Sequence, residues 1–288
     1  MALTNTTTLN DLLPQITAEA LFVASEKSIM KGLVRNYTIP AGQGKQITVP
    51  RYPQVTAAPL TEATAPTATA VSTDGATLTV SEVGIRATIS DLSIQASSAN
   101  VIADVGRLFG ESIARRIDTD LMALFNGFST QVGGAGVGGG NTAATAALLF
   151  QGIAKIRSQG YDTSNDCAIV LHPNVYYDVA SSITSTFAAP ASAVGNEALK
   201  SGFVGTLGGV PVYQSSLVPS ADGSTTGDYG CGIFHKDSLG LAMMQDIKIE
   251  SQREATLRGF DVVGSAIYGV GELYDTAGVR GHFDSSIE

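Results

Sequence analysis

The sequence predicts an α+β fold in which an extended hairpin hangs on one long helix. Three observations predict it. A charge-poor stretch rich in Thr, Ala, Val and Pro runs from Ile39 to about Ile89, and between Gln54 and Ser81 only Glu62 and Asp74 are charged. That stretch feeds a strongly patterned helix over Val101 to Asn126. Short apolar strand patterns then recur through the second half. An arm on a rigid spine suits a subunit built to lie across its neighbours.

Taken in order, Ile16 to Val34 reads as an amphipathic helix. Ala18, Phe22, Ser25, Ile29 and Leu33 share one face, Lys27 and Lys31 lie on another, and Gly32 and Asn36 end it. Residues 1–38 therefore read as an N-terminal arm. Gln46–Val49 and Leu78–Ile89 read as two strands, and Pro50, Pro53, Pro59 and Pro66 between them exclude a central strand. The two halves can close as a hairpin within segment 39–90, reaching roughly 65 Å at about 3.3 Å per residue. Arg51, Tyr52, Glu62 and Asp74 are its candidate intersubunit residues.

The spine helix carries Ile102, Val105, Phe109, Ile113, Ile117, Leu121 and Leu124 at spacings of three and four. Of these, Ile102, Phe109, Ile113, Ile117 and Leu121 are the expected buried stripe. Asp104, Arg107, Glu111, Arg115 and Asp118 form the opposite one, with Glu111 and Arg115 in the favourable i, i+4 order. Asn100 suits an N-cap and Gly127 a C′ position. At about 1.5 Å per residue the helix spans ~40 Å.

Gln131–Gly140 reads as a flexible loop, and Thr142–Ser158 as a second helix closed by Gly160. CAIVL, Cys167–Leu171, reads as a short buried strand. Pro173 opens a helix at a position where its missing N–H costs nothing. Ser181–Ser201 reads as irregular. Val210–Gln214, Gly232–Phe234, Ile247–Ser251 and Phe260–Tyr268 read as strands, with Gly264 and Gly269 as bends. No internal repeat is evident.

Composition narrows the function. Charged residues make up 15% of the 288, against roughly 25% in an ordinary soluble domain. Apolar area short of charge is commonly hidden in subunit contacts. The net charge is −9, with no basic stripe, which disfavours specific nucleic-acid binding. Two cysteines, Cys167 and Cys231, make no disulfide framework. No apolar run reaches the ~18 residues of a membrane span, and the polar N-terminus lacks signal-peptide character.

No chemistry is expected. Gly134, Gly136 and Gly139 formally match a dinucleotide fingerprint, but a helix precedes them where a strand is required. Cys167 with His172 and Cys231 with His235 lack zinc-ligand spacing. Asp118 and Asp120 lie on different helix faces, which suits solvated or interfacial carboxylates rather than joint acid–base work. Catalytic residues, cofactors and metals are all expected to be none.

The order of elements resembles the major capsid proteins of tailed double-stranded DNA bacteriophages, the Hong Kong 97 fold family. ITVPRYPQVTAAPLTEATAPTATAVST resembles that family's extended E-loop, with Glu62 at its recurrent glutamate. ATLTVSEVGIRATISDLSIQASS with NVIADVGRLFGESIARRIDTDLMALFNG resembles the strand and spine of its P-domain. AIVLHPNVYYDV and GFVGTLGGVPVYQSSLVP resemble its A-domain. GIFHKDSLGLAMMQDIKIESQRE and FDVVGSAIYGVGELYDTAGVRGHF resemble the return through the sheet. The resemblance implies an N-terminal arm at 1–38, an E-loop at 39–90, a P-domain at 91–160, an A-domain at 161–250 and P-domain return strands at 251–288. It also implies hexamers and pentamers of an icosahedral head, non-specific contact with packaged DNA, and assembly in the host bacterial cytoplasm. A separate scaffolding protein, a portal and in some heads a cement protein would be partners. Two alternatives stay open: an encapsulin-like compartment shell of the same fold, and an enzyme without a recognisable motif.

Overall fold

The computed structural model describes residues 28–40, 42–52, 71, 73–96, 101–134, 142–163, 166–187, 205–221 and 227–287, with isolated positions between 55 and 65. Two sheets share one long helix. The first sheet has strand order β1-β11-β12-β4: β1 (Arg35–Thr38), β11 (Leu239–Glu254), β12 (Gly259–Glu272) and β4 (Ser81–Ser90). β1 runs parallel to β11, and the other pairs are antiparallel. The second follows β5-β13-β10-β7-β9-β8, with β6 also on β13. Its strands are β5 (Gln131–Gly133), β6 (Thr142–Ala143), β7 (Cys167–Leu171), β8 (Thr206–Leu207), β9 (Val210–Gln214), β10 (Asp228–His235) and β13 (Gly278–Asp284). β2 (Gln46–Arg51) and β3 (Asp74–Thr79) form a separate hairpin.

The spine helix, Val101–Ala123, ends in a 3₁₀ turn at Leu124–Gly127. Its apolar stripe behaves as the periodicity requires: Phe109, Ile113, Ile117 and Leu121 are buried. Ile102 belongs to the helix, but its side chain lies outside the described residues, as does Asn100. The helix lies across the four-stranded sheet because glycine permits the approach. A Cβ on Gly264 of β12 would sit 3.2 Å from Phe109 Cβ and 3.3 Å from Ile113 Cδ1.

Beyond the spine, Phe125 and Phe128 carry the core into the second sheet, where the Phe125 and Phe234 rings lie 5.2 Å apart. β7 is an unbroken apolar run because it is central, with β10 antiparallel on one side and β9 parallel on the other, and all five residues are buried. Helix Ala146–Ser158 begins at Thr145, whose side chain accepts from Leu148 N at 3.4 Å, and closes at Gly160 with φ 87°. Pro173 opens helix Pro173–Phe187.

Several expectations need correction. Gly32 lies inside the short helix Met30–Leu33, and Arg35–Thr38 is a strand on β11 rather than free arm. The rest of the expected Ile16–Val34 helix lies largely outside the described residues. Leu78–Ile89 is two strands in two sheets, parted at Val80, since Leu78 follows the hairpin while Ser81–Ser90 joins β12. Gly127 has no left-handed φ, because the spine closes by tightening rather than by an αL cap. Gln131–Gly133 is a parallel strand on β13, not loop, and the helix expected from Thr142 starts at Ala146. Helical structure persists to Phe187, where irregularity was expected from Ser181. Gly264 and Gly269 are not bends: both lie inside β12, where a Cβ on Gly269 would sit 2.1 Å from Thr79 O and one on Gly264 would force Phe109 and Ile113 to shift. The irregularity falls opposite, in β11 between Met243 and Lys248.

The expected segment boundaries also differ from the pairing. β11 starts at Leu239, inside the expected 161–250 block, yet pairs in the first sheet, while β13, inside the expected 251–288 return strands, pairs with β10 in the second. β5, β6 and helix Ala146–Ser158 accompany the second sheet rather than the spine's sheet.

Candidate intersubunit surface

The hairpin is built from alternation. β2 reads exposed and half-buried in turn, and β3 turns Ala76 and Leu78 inward. These two join Ile39, Val80, Ala242 and Leu273 in a small cluster separate from the main core, with Ile47, Val49 and Ile267 around it. Leu78, 1% exposed, enters the first sheet where Gly240 and Gly271 leave space. At the far end of the paired region Arg51 stands opposite Asp74. The two form an ion pair, and Arg51 Nη1 donates to Leu273 O at 2.8 Å. Arg51 thus ties the outgoing strand both to its returning partner and to β12's end.

Beyond that tie the chain presents apolar side chains to solvent. Tyr52 is 67% exposed and Leu60 74%, with Val55 and Val71 also exposed, and Glu62 sits in an exposed turn. The four expected intersubunit residues therefore divide. Arg51 and Asp74 meet within this chain, whereas Tyr52 and Glu62 face outward. Tyr52, Val55, Leu60 and Val71 thus leave large apolar side chains in contact with water, the kind of area that subunit contacts commonly cover.

A second surface lies on the distal half of the first sheet. Arg86, Glu250, Gln252, Glu254, Asp261 and Val263 line a shallow concavity on it. Asp261 is held below its ordinary carboxylate range by the Thr88 hydroxyl and by Arg86, despite the opposing effect of burial. The sheet's other face lies under the spine, where Ile249 passes Gly106.

Charged spine residues do not all face water. Asp118, expected on the solvated stripe, is 2% exposed and accepts from Ser28 Oγ at 2.8 Å and Ile29 N at 2.9 Å. Met122, one turn on and fully buried, was the available signal that the apolar stripe is wide enough to include this position. Asp120 pairs with Arg116 at 2.9 Å and accepts from Tyr268 OH at 2.7 Å, and the Tyr268 phenol is pushed up by burial and by that carboxylate. The i, i+4 ion pair seen on the helix is thus Arg116–Asp120 rather than Glu111–Arg115.

Cys167 and Cys231 are buried thiols, each pushed up to about 12, chiefly by burial, so neither supplies thiolate near neutrality. His172 stacks on Tyr229 with centroids 3.7 Å apart, and His235 Nδ1 accepts from Asp237 N at 3.2 Å. Among the described residues no group of three His, Cys, Asp or Glu side chains gathers as a metal would need. Among the same residues no helix is long and apolar enough to cross a membrane.

The family model for phage capsid protein matches residues 75–280. The chain belongs to the phage capsid protein family. Its fold is the Hong Kong 97 fold expected from the order of elements. The capsid of cyanophage P-SCSP1u is similar to this capsid chain with a TM-score of 0.69 at 19% identity, covering 90% of this chain and 88% of that one. Mycobacterium phage Che8 gives 0.64 at 17% identity, over 84% and 85%. The holo-SrpI encapsulin complex of Synechococcus elongatus gives 0.65 at 14% identity, over 100% and 98%. Comparison with curated proteins gives no match.

Proposed function

We propose that the chain is the shell subunit of an icosahedral phage head, assembling into hexamers and pentamers around double-stranded DNA and performing no chemistry. The carrying observation is the hairpin. Its paired strands are fixed by Leu78 near the root and by Arg51 at the far end, while Tyr52, Val55, Leu60 and Val71 are exposed beyond them. Laid on an adjacent copy, those side chains would be removed from water, each contributing about 25 cal/mol per Å² of apolar area buried. With a net charge of −9 the shell would meet packaged DNA without specific adhesion, and a separate scaffolding protein and a portal would complete the head.

Electron microscopy of the purified chain, alone and with scaffold, tests this. Polyhedral shells or capsomer rings are expected. Deleting residues 57–72 should leave a folded body that builds none. A stable monomer at high concentration, or normal shells from the deletion, would defeat the reading. The full-length likeness to an encapsulin favours one second reading, a compartment shell. Nucleic acid inside purified particles supports the phage reading, and a cargo protein the other.

A further inference from the structure

The chain reaches the hairpin by way of a short strap. Asp118 on the spine receives Ser28 Oγ at 2.8 Å and Ile29 N at 2.9 Å. Met30 and Val34 follow, both fully buried in the main core. Arg35 Nε then pairs with Asp237 at 2.5 Å, and β1 lies parallel on β11 from Arg35 opposite Gly240 to Thr38 opposite Met243. Ile39 N donates to Met243 O at 2.9 Å. The chain leaves β11 there, at the residue where the strand's irregularity begins. A few residues later Lys45 O accepts from Val80 N at 2.9 Å, closing the hairpin's root.

We propose that residues 28–39 form a clasp, anchored at Asp118, that sets the position of the hairpin's root and isolates it from the residues preceding 28. The argument is one of sequence along the load path. Anything that displaces the preceding residues must first break the donors held by Asp118, then withdraw Met30 and Val34, before β1 can lift from β11. The carboxylate is an effective first anchor because it is buried. Losing two donors from a buried carboxylate is costly, because hydrogen bonds to charged groups are the stronger kind. Asp118 is a positioning residue, not a contact residue. It acts on the hairpin through the strap, and the strap's consequence for assembly rests on the shell reading above.

Hydrogen exchange on the unassembled full chain tests the clasp without requiring shells. In Asp118→Ala the amides of β1 should exchange at least tenfold faster, and those of β2 and β3 should follow. β10 and β13 should not change. Ile29→Pro removes the backbone donor while leaving the spine intact, and should produce the same pattern, which keeps the test open if Asp118→Ala folds poorly. The double variant should be no worse than the worse single, because both remove one anchor. Unchanged β1 exchange, β1 opening without any response in the hairpin, equal acceleration in β10 and β13, or simple additivity would each overturn the proposal. Loss of shells in wild-type protein would defeat the shell reading while leaving the exchange result intact.

Discussion

Replacing Leu78 with Ala should loosen the hairpin without loosening the body. The side chain is 1% exposed and belongs to the small cluster of Ile39, Ala76, Val80, Ala242 and Leu273. The change removes three carbons, about 2.4 kcal/mol at ~0.8 per buried carbon. The space left between Gly240 and Gly271 cannot be refilled by those residues, since neither has a side chain. A cavity contribution then brings the cost to about 3 kcal/mol, within the 2–5 usual for such truncations. The cluster is not continuous with the main core, so the cost falls on docking of the hairpin rather than on global folding. About 3 kcal/mol corresponds to an undocked population on the order of 100-fold larger. Hydrogen exchange resolved by segment is the assay. Amides of β2 and β3 should exchange on the order of 100-fold faster, while β7, β10 and β13 keep their protection. Equal acceleration in β10, or none in β3, would refute the separation of the two clusters.

Ile113→Asp places a carboxylate under the spine against β12, should cost several kcal/mol and should abolish soluble expression; a normal melting temperature would put that face in solvent. Arg258 holds φ 49° in the turn between β11 and β12, so Arg258→Gly should gain about 1 kcal/mol, and calorimetry should show a melting temperature ~2–4 °C higher. Glu272 is raised above its ordinary 4.5 by burial and by Asp275, so the folded state holds this proton more tightly than the unfolded state does. Its effect on stability is therefore unfavourable at neutral pH and disappears as pH falls below 4.5. Glu272→Gln should be more stable than wild type near pH 7, and denaturation curves should show that gap closing toward pH 4; a gap independent of pH would contradict this.

Local patterns were legible where one residue type answers one demand. The spine's apolar stripe, the unbroken CAIVL strand and Pro173 at a helix start could be read directly, because periodicity and missing donors act within a few residues. The hairpin was legible for the opposite reason: its prolines excluded a central strand. What escaped depends on partners distant in sequence. Gln131–Gly133 became a strand because β13 offers it an edge. Gly264 looks the same in sequence whether it bends a strand or admits a helix. Asp118 reads as a solvated charge until Ser28 and Ile29 are seen upon it. At the candidate surface, the sequence could not separate Tyr52, which is exposed, from Arg51, which pairs with Asp74 and donates to Leu273 O of the same chain.

The position of β13 has a consequence for synthesis. Although it comes late in the chain, Gly278–Asp284 sits between β10 and the short strands β5 and β6. A growing chain therefore exposes the flank of β10, with Cys231 and Ile233 on it, until residue 284 has cleared the ribosome. At 5–20 residues per second that interval lasts roughly 2–10 s. An interrupted chain never closes the sheet, and the apolar surface it keeps open marks it for chaperones and proteases. Closure of this sheet and competence to enter a larger structure thereby become the same event, which keeps chains cut short of β13 out of any lattice.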